Sequence, residues 1–365
     1  MGRPLHGDVV LARHWHRLDD GRLQCDLCPR RCRLRDGQRG YCMVRERRGE
    51  ELVLTAYGWT GALATDPVEK KPLYHFLPGT GALSLATGGC NLGCVYCQNA
   101  ALSRFWPARV PGERASPEEV AEAALALGCP IVAFTYSEPV PALEYVVDVA
   151  EACHAAGIRT VGVTAGYVLP APRAELFAHM DAANVDLKGG EGAYGRLCAA
   201  RAGPVLETLE YLHCDTTVWL EVTYLLVPAE NDSETDVGRQ CEWILGHLGP
   251  DVPVHLTAFH PAWKMQDWLP TPPETVRRAR RLARAAGIRH VYTGNIYDPE
   301  GQATYCSGCG RVVIGRDRQR VVEWGLGRGR CRRCGTACPG VYDEAPGLWR
   351  AGTLPVAPGG RPTRH

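Results

Sequence analysis

The sequence lacks the long apolar segments of a membrane protein. No stretch approaches the ~18 continuous apolar residues that a membrane-spanning helix needs. The N-terminus, residues 1–17, carries Arg and His among scattered apolar residues but has no apolar core of a signal peptide. We therefore expect a cytoplasmic protein that has no membrane partner.

Lysine is scarce, because only four of the 41 basic residues are lysine: Lys70, Lys71, Lys188 and Lys264. Arginine makes both ends basic, with twelve Arg against six acids in residues 1–48 and eight against two in residues 301–335. Basic ends could bind a nucleic acid or an acidic partner. The formal net charge is only +1, so the simpler interpretation of the Arg-rich ends is a general preference for arginine on solvated faces. We therefore do not expect a nucleic-acid partner.

Cysteine is abundant, and twelve of the 17 cysteines fall into three groups. In a reducing compartment such grouping indicates metal ligation rather than disulfides. The scattered Cys129, Cys153, Cys198, Cys214 and Cys241 are interpreted as small core residues. The groups are Cys25, Cys28, Cys32 and Cys42; Cys90, Cys94 and Cys97; and Cys306, Cys309, Cys331, Cys334 and Cys338.

The middle group has the spacing Cys-x3-Cys-x2-Cys and follows a predicted strand at 82–86. Closed zinc sites and closed iron–sulfur clusters take four protein ligands. Three cysteines without a fourth nearby in sequence suit a [4Fe–4S] cluster with one open iron, where a substrate or cofactor can bind. The alternative, half of a split zinc site, is disfavoured by this spacing after a strand and by Tyr96 and Asn99.

The two outer groups predict further metal sites. Cys306-x2-Cys309 and Cys331-x2-Cys334, separated by 21 residues, predict a tetrahedral four-thiolate site with zinc as the first choice and iron as the second. Cys338 is then spare. The N-terminal spacing x2-x3-x9 is not that of a ferredoxin, and it leaves zinc and an auxiliary cluster as equal alternatives for Cys25, Cys28, Cys32 and Cys42.

Short apolar runs alternate with helical patterns between residues 82 and 295, which predicts a parallel α/β architecture. Ser116-Pro-Glu-Glu119 and Thr271-Pro-Pro-Glu274 predict capped helix starts, and Gly128, Gly157 and Gly287 predict helix ends. A doubly wound sheet is the alternative to a partial (β/α)6-type TIM barrel, the fold class we expect. The predicted strands are 82–86, 131–135, 159–163, 183–187, 218–224, 253–258 and 290–293.

The cysteine groups divide the chain further. We expect an N-terminal Cys-rich module and lead-in at 1–78 and the βα core at 79–297. A C-terminal zinc-ribbon-like module follows at 298–345, and a disordered tail at 346–365.

Five segments, together with the cysteine pattern, resemble the radical S-adenosylmethionine superfamily. Within it the chain looks like the radical enzyme of the AmmeMemoRadiSam group, a relative of the pyruvate formate-lyase activating enzymes. Both outer cysteine groups match that group too, so that the resemblance covers about residues 20–342. The segments are Lys71–Gly79, Cys90–Asn99, Thr135–Pro139, Asn184–Lys188 and Phe259–Met265.

The resemblance implies a cofactor pair and a reaction. Cys90, Cys94 and Cys97 would hold a [4Fe–4S] cluster whose fourth iron is chelated by S-adenosylmethionine. One-electron reduction would then release methionine and a 5′-deoxyadenosyl radical, which abstracts hydrogen from a substrate. The resemblance also implies an electron donor such as flavodoxin or ferredoxin, and a protein substrate or proteins from neighbouring genes as further partners.

The resemblance further assigns S-adenosylmethionine contacts to Tyr96, Glu138, Asp186, Lys188 and His260. Glu138 would accept hydrogen bonds from the methionyl ammonium; the alternative is a helix-dipole role before Pro139. Asp186, Lys188 and His260 would fix the ribose and carboxylate ends, whereas a structural ion pair is the alternative for Asp186 and Lys188. The chain departs from the family pattern at Ala100, Ala165 and Ala229.

Two rival functions remain open at the level of sequence. An activase that installs a glycyl radical on a partner enzyme would use the same chemistry. A metal-stapled nucleic-acid-binding or scaffold protein would use the ribbon and the Arg-rich ends instead, but it leaves Cys90–Cys97 and Glu138 unexplained.

Overall fold

The computed structural model describes residues 4–6, 9–104, 113–349, 353–357 and 361–362. Its described helices are α1 Ala100–Arg104, α2 Pro117–Ala126, α3 Leu143–Ala155, α4 Pro170–Phe177, α5 Glu191–Cys198, α6 Gly203–Cys214, α7 Glu234–His247, α8 Pro273–Ala286 and α9 Pro299–Gln302, with short 3₁₀ turns at Val68–Lys70, Val140–Ala142 and Trp263–Met265. Its described strands are β1 Pro4–His6, β2 Val9–Leu11, β3 Trp15–Arg17, β4 Leu23–Cys25, β5 Arg33–Leu34, β6 Arg45–Arg48, β7 Glu51–Leu54, β8 Trp59–Thr60, β9 Ala62–Pro67, β10 Gly81–Ala86, β11 Glu113–Arg114, β12 Ile131–Phe134, β13 Arg159–Thr164, β14 Ala182–Leu187, β15 Trp219–Leu226, β16 Val254–Ala258, β17 Val291–Gly294, β18 Thr304–Tyr305, β19 Val312–Asp317, β20 Arg320–Trp324, β21 Leu326–Gly327, β22 Arg330–Cys331, β23 Leu354–Ala357 and β24 Arg361–Pro362.

The chain forms two compact units. One unit comprises the described parts of residues 1–66, 82–181 and 353–365, and the other comprises those of 67–81 and 182–352. None of the helices in the described part of the chain is both long and apolar enough to cross a membrane.

The first unit contains three parallel strands. β10 pairs with β12, and β12 pairs with β13, with Leu85 opposite Phe134 and Phe134 opposite Gly162. These strands are nearly all buried, as their continuous apolar sequences require. Because parallel strands end at the same edge of a sheet, the segments after β10, β12 and β13 meet there.

The N-terminal part of the first unit is antiparallel. β1, β2, β7 and β6 form one small sheet, and β3, β4 and β5 form another. The fully buried Arg45 of β6 forms an ion pair with the equally buried Glu144 at the start of α3. Arg45 also donates from Nη1 to the carbonyl of Arg13 at 2.9 Å. The ion pair attaches the sheet that contains β6 to helix α3, which follows β12.

The second unit contains the parallel strands β14, β15, β16 and β17, which pair in chain order. Helices α5 and α6 lie between β14 and β15 in the chain, α7 precedes β16 and α8 precedes β17, and each of them buries apolar residues. The small antiparallel sheet β18–β20 and the hairpin β21–β22 follow. They enclose a separate hydrophobic cluster that includes Val313, Ile314 and Leu326.

All seven predicted core strands are present with bounds within two residues, and the α/β class is confirmed. The partial (β/α)6-type barrel and the predicted module boundaries stay predictions. The capping box at Ser116 is confirmed, since Ser116 accepts from Glu119 N and Glu119 accepts from Ser116 N. Gly287 ends α8 in the left-handed conformation with φ 118°.

The predicted cap at Thr271 is wrong, because α8 begins without a side-chain cap at Pro272. The Thr271 hydroxyl instead donates to the carbonyl of Leu226 at 2.6 Å and accepts from the N–H of Phe259 at 3.0 Å. A contact with β15 and with the end of β16 therefore replaces the local capping bond.

The tail at 346–365 was expected to be disordered, but its described part contains a paired strand. β23 pairs antiparallel with β9, so that Leu354 lies opposite Thr65. The rest of the predicted disordered tail, at 350–352, 358–360 and 363–365, lies outside the described residues.

Candidate active site

The loop that carries Cys90, Cys94 and Cys97 follows β10 in the first unit. The N–H of Leu92 lies 3.4 Å from the Cys90 sulfur, and the Cys97 sulfur lies 3.6 Å from the Ser103 hydroxyl. Burial raises the pKa of Cys90 well above its ordinary value, and the nearby negative charge of Glu138 raises it further. A positively charged group at this position would oppose both effects, because it would favour the thiolate.

Asn91 fixes this loop, although no motif in the sequence marks it as a site residue. Asn91 is buried and donates from Nδ2 to the carbonyl of Tyr167 at 2.7 Å, while its own carbonyl accepts from Arg30 Nε at 2.8 Å. Its Oδ1 atom has no hydrogen-bond partner among the described residues. Tyr96, the predicted cofactor contact, is also buried in this loop. The loop is therefore held by polar contacts at the residue after Cys90.

Glu138 lies in the segment after β12 and is held by the end of the neighbouring strand β13. Its Oε1 accepts a 2.5 Å hydrogen bond from the Thr164 hydroxyl, and its Oε2 accepts a 2.8 Å bond from the N–H of Ala165. The side chain is buried. The structure therefore brings Glu138 and Cys90 together, with the carboxylate in a fixed orientation that suits a cationic ligand.

Thr164 was missed as a site residue because its role depends on a residue 26 positions earlier. Its position as the last residue of a strand was the available signal, since polar side chains at strand ends line the sites of parallel α/β proteins. Ala165, a departure from the family pattern, contributes through its backbone N–H, which its side chain does not affect.

Asp186 and Lys188 lie at the end of β14 in the second unit and form an ion pair of 2.9 Å. The hydroxyl of Tyr194 accepts from the N–H of Lys188 at 3.2 Å, and Asn231 donates to the Lys188 carbonyl at 3.1 Å. Asp186 and Lys188 thus form the ion pair that is the alternative to a cofactor-binding role. A role of these residues toward the cofactor stays a prediction.

His260 follows β16 in the second unit and is exposed. Its Nε2 lies 3.3 Å from the carbonyl of Asn295, which in turn donates from its side chain to the carbonyl of Ala258 at 3.0 Å. The structure does not link His260 to Asp186 or Lys188 by any described hydrogen bond or ion pair. Its predicted role toward the cofactor stays a prediction as well.

The C-terminal cysteines form a compact quartet in the second unit. Cys306, Cys309, Cys331 and Cys334 bring their sulfurs within 4.8 Å of one another. The Cys306 and Cys334 sulfurs are 3.5 Å apart, and those of Cys309 and Cys331 are 3.8 Å apart. A Zn–S bond of about 2.3 Å in a tetrahedron separates the sulfurs by about 3.8 Å. The quartet therefore fits one tetrahedral metal ion.

Two tight turns create this quartet. Gly310 N–H donates to the carbonyl of Cys306, and Gly335 N–H donates to that of Cys331, both at 2.9 Å. A hydrogen bond with Thr336 lowers the pKa of Cys334 to about 6. Cys338 stands outside the quartet, with its sulfur 3.2 Å from the hydroxyl of Tyr342, which agrees with its prediction as the spare cysteine.

The N-terminal cysteines line one small pocket in the first unit, together with Arg30, Tyr41, Arg45 and Asn91. Burial raises the pKa of Cys25 to about 11 and also raises the pKa values of Cys28 and Cys42. The charge of Arg45 opposes this shift at Cys25 and at Cys42. The prediction that these four residues bind metal is consistent with their convergence.

The model of the Radical SAM superfamily matches residues 84–238 of the chain. That range includes the three cysteines of the loop, Glu138, Asp186 and Lys188 but not His260. An uncharacterized protein of Methanocaldococcus jannaschii is 39% identical to this chain over 326 residues, which are 89% of this chain and 97% of that protein.

Two solved structures are more distantly similar. A domain of a pyruvate-formate lyase-activating enzyme from Bacteroides vulgatus has 16% identity and a TM-score of 0.40, covering 45% of this chain and 98% of that domain. A radical SAM methyltransferase from Sphaerobacter thermophilus has 15% identity and a TM-score of 0.46, covering 84% of this chain and 81% of that enzyme.

Proposed function

The chain belongs to the radical S-adenosylmethionine superfamily, and we propose that this enzyme cleaves S-adenosylmethionine reductively to abstract hydrogen from a substrate. Within the superfamily we assign it to the AmmeMemoRadiSam group, on the five matching segments and both outer cysteine groups. The observation that carries the proposal is the buried carboxylate of Glu138, fixed by Thr164 and Ala165 beside the cysteine loop.

Cys90, Cys94 and Cys97 are the proposed ligands of the [4Fe–4S] cluster. The chemistry that the cluster supplies when bound is the single electron that splits S-adenosylmethionine into methionine and a 5′-deoxyadenosyl radical. Among the described residues, these three sulfurs are not gathered within 4.8 Å as a single-ion site would require. The N–H of Leu92 near the Cys90 sulfur favours its thiolate form.

Glu138 is proposed to bind the methionyl ammonium. A hydrogen bond to a charged partner contributes about 1.5–3 kcal/mol, and more where water is excluded. Thr164 and the backbone of Ala165 hold the carboxylate before the ligand arrives, which lowers the entropic cost of binding. Ala165 is buried and Glu138 is buried, so that this end of the site is shielded from solvent.

The C-terminal quartet is proposed to bind zinc as a structural ion. Its sulfur separations of 3.5 and 3.8 Å match a tetrahedral ion with four thiolates. Four protein ligands leave no open position for a substrate, and the surrounding cluster of Val313, Ile314 and Leu326 is small. The ion would therefore stabilise a segment that cannot form a large core of its own.

The proposal is tested by electron paramagnetic resonance of the anaerobically reconstituted and reduced protein. We expect the spectrum of the reduced cluster to change when S-adenosylmethionine is added and to stay unchanged with adenosine, which lacks the methionyl group. The same experiment with Glu138→Gln should require a higher S-adenosylmethionine concentration. A spectrum that responds to neither compound would contradict the proposal.

A further inference from the structure

The N-terminal quartet differs from the C-terminal one in the distances between its sulfurs. Within the described chain, only Cys306, Cys309, Cys331 and Cys334 gather their sulfurs within 4.8 Å. The four N-terminal sulfurs line one pocket, but no three of them lie within 4.8 Å of one another, whereas the sulfurs of a tetrahedral zinc site are about 3.8 Å apart. The same is true of Cys90, Cys94 and Cys97. The spacing thus favours a multi-iron cluster over a single zinc ion.

The pocket also provides hydrogen bonds to its sulfurs. The N–H of Tyr41 lies 3.4 Å from the sulfur of Cys32. The backbone N–H groups of Leu27, Arg30 and Val44 donate to the sulfurs of Cys25, Cys28 and Cys42. Hydrogen bonds of this kind tune the reduction potentials of protein-bound clusters.

A buried cation lies beside the same sulfurs. Arg45 lines the same pocket as Cys25 and Cys42, and its guanidinium is held by Glu144. Four thiolates around a cluster concentrate negative charge in a buried place, which is costly unless a cation or hydrogen bonds compensate it. Arg45, Arg30 at the pocket wall and the backbone N–H groups supply this compensation.

The quartet is in direct contact with the loop of the other cluster. Gly89, which precedes Cys90, packs so closely on Cys42 that a Cβ atom at Gly89 would lie 2.2 Å from the Cys42 carbonyl oxygen. Arg30 donates to the carbonyl of Asn91, and Asn91 itself lines the quartet's pocket. The loop that carries Cys90 therefore contacts the pocket of the N-terminal quartet through two residues, Gly89 and Asn91.

We propose that Cys25, Cys28, Cys32 and Cys42 hold a second [4Fe–4S] cluster, which passes one electron to the cluster of Cys90, Cys94 and Cys97. Because every iron of the second cluster has a cysteine ligand, no iron is open to bind a substrate, and electron transfer is the chemistry left to it. The electron transfer between the two clusters (the relay) rests on the proposed function, whereas the binding of a second cluster by the four N-terminal cysteines does not.

The electron transfers balance without bond changes. The quartet's cluster accepts one electron from a low-potential donor of the flavodoxin or ferredoxin class. It returns to its oxidised state as the same electron reduces the cluster of Cys90, Cys94 and Cys97. That electron is finally consumed in cleaving the sulfonium carbon–sulfur bond, and no proton is moved in either transfer.

Metal analysis of the anaerobically reconstituted full chain tests the occupancy. We expect about eight irons, eight sulfides and one zinc per chain, since each cubane contributes four irons. The triple variant Cys90→Ala/Cys94→Ala/Cys97→Ala should keep about four irons, and its reduced cluster should give a resonance that S-adenosylmethionine does not alter. Cys153→Ala, a buried cysteine outside every group, is the matched control and should keep all eight.

Two results would overturn the second cluster. One is a full chain with about four irons and two zincs. The other is a triple variant that keeps two zincs and no iron. If instead the proposed function were wrong but the second cluster right, the full chain and the triple variant would contain the same four irons, so that the two failures are distinguishable.

A comparison of electron donors tests the relay. In Cys28→Ala/Cys32→Ala, 5′-deoxyadenosine formation driven by reduced flavodoxin should fall by at least about tenfold relative to the full chain. With dithionite, a small reductant that can reach the other cluster directly, the rate should be retained. An equal rate with flavodoxin, or an equal loss with both reductants, would overturn the relay.

Discussion

The hydroxyl of Thr164 donates a 2.5 Å hydrogen bond to Oε1 of Glu138, and so connects the ends of two adjacent parallel strands. The next residue, Ala165, donates its N–H to Oε2 at 2.8 Å. The Glu138 carboxylate is therefore oriented by a hydroxyl group and a backbone N–H. A carboxylate held in this way suits a cationic ligand.

Replacement of Glu138 by Gln should weaken S-adenosylmethionine binding without loss of the cluster. Removal of a charge-assisted hydrogen bond costs about 1.5–3 kcal/mol, or about 10- to 150-fold in affinity. The measurement is a titration of the cluster resonance with S-adenosylmethionine, alongside the iron content. Glu151→Gln, at a largely exposed side chain, is the control, and an affinity unchanged in Glu138→Gln would contradict the assignment.

Thr164→Val should reduce S-adenosylmethionine affinity less strongly, by about 3- to 10-fold, because it removes one orienting bond of about 1 kcal/mol and keeps the shape of the side chain. Thr164→Ser retains the hydroxyl and should restore most of the affinity. The same titration measures both. Equal losses in the Val and Ser variants would show that packing, and not the hydrogen bond, determines the effect.

Cys309→Ala should abolish zinc binding and lower the thermal stability, since a four-thiolate site loses one ligand. Cys338→Ala, outside the quartet but in the same hydrophobic cluster, should keep one zinc per chain. Zinc content by mass spectrometry and the unfolding midpoint are the readouts. If both variants kept equal zinc, the proposed ligand set would be wrong.

The stability of the protein should fall in mild acid in part because of His290. Burial lowers the pKa of His290 to about 4, whereas an unfolded His titrates near 6.5. The unfolded state therefore binds the proton first. The stabilising contribution of neutral His290 is full above about pH 6.5 and is lost as the pH falls toward 4, with a loss of about 2 kcal/mol at pH 5.

Urea unfolding at pH 7 and pH 5 checks this contribution. The variant His290→Gln should lose about 2 kcal/mol less stability between these two pH values than the parent chain does. His247→Gln, at a half-exposed position on α7, should lose as much as the parent. The same loss in parent and His290→Gln would contradict the prediction.

The core strands were predictable from sequence because each is a short apolar run between helix signals. The cap at Ser116 was predictable because its contacts are local, between Ser116 and Glu119. Thr271 has the same local pattern, but contacts with Leu226 and Phe259 override it. Tertiary contacts of this kind leave no signal in a window of neighbouring residues.

The three cysteine groups could be found from their spacing in the sequence. The distances between their sulfur atoms could not be predicted in this way. The sulfur separations that distinguish the C-terminal quartet from the other two groups depend on how distant turns converge. In the same way, neither the orientation of Glu138 by Thr164 nor the contact of Gly89 with Cys42 follows from residues adjacent in sequence. The N-terminal antiparallel sheets, made of strands of two to four residues, were also not predicted.

The central claim is tested most directly by product analysis of the reduced, anaerobically reconstituted chain incubated with S-adenosylmethionine. The account predicts equal amounts of 5′-deoxyadenosine and methionine from the parent chain and from Cys153→Ala. It predicts none from Cys94→Ala, in which the cluster loses a ligand. A parent chain that holds its cluster but forms no 5′-deoxyadenosine, or a Cys94→Ala variant as active as the parent, would contradict the account.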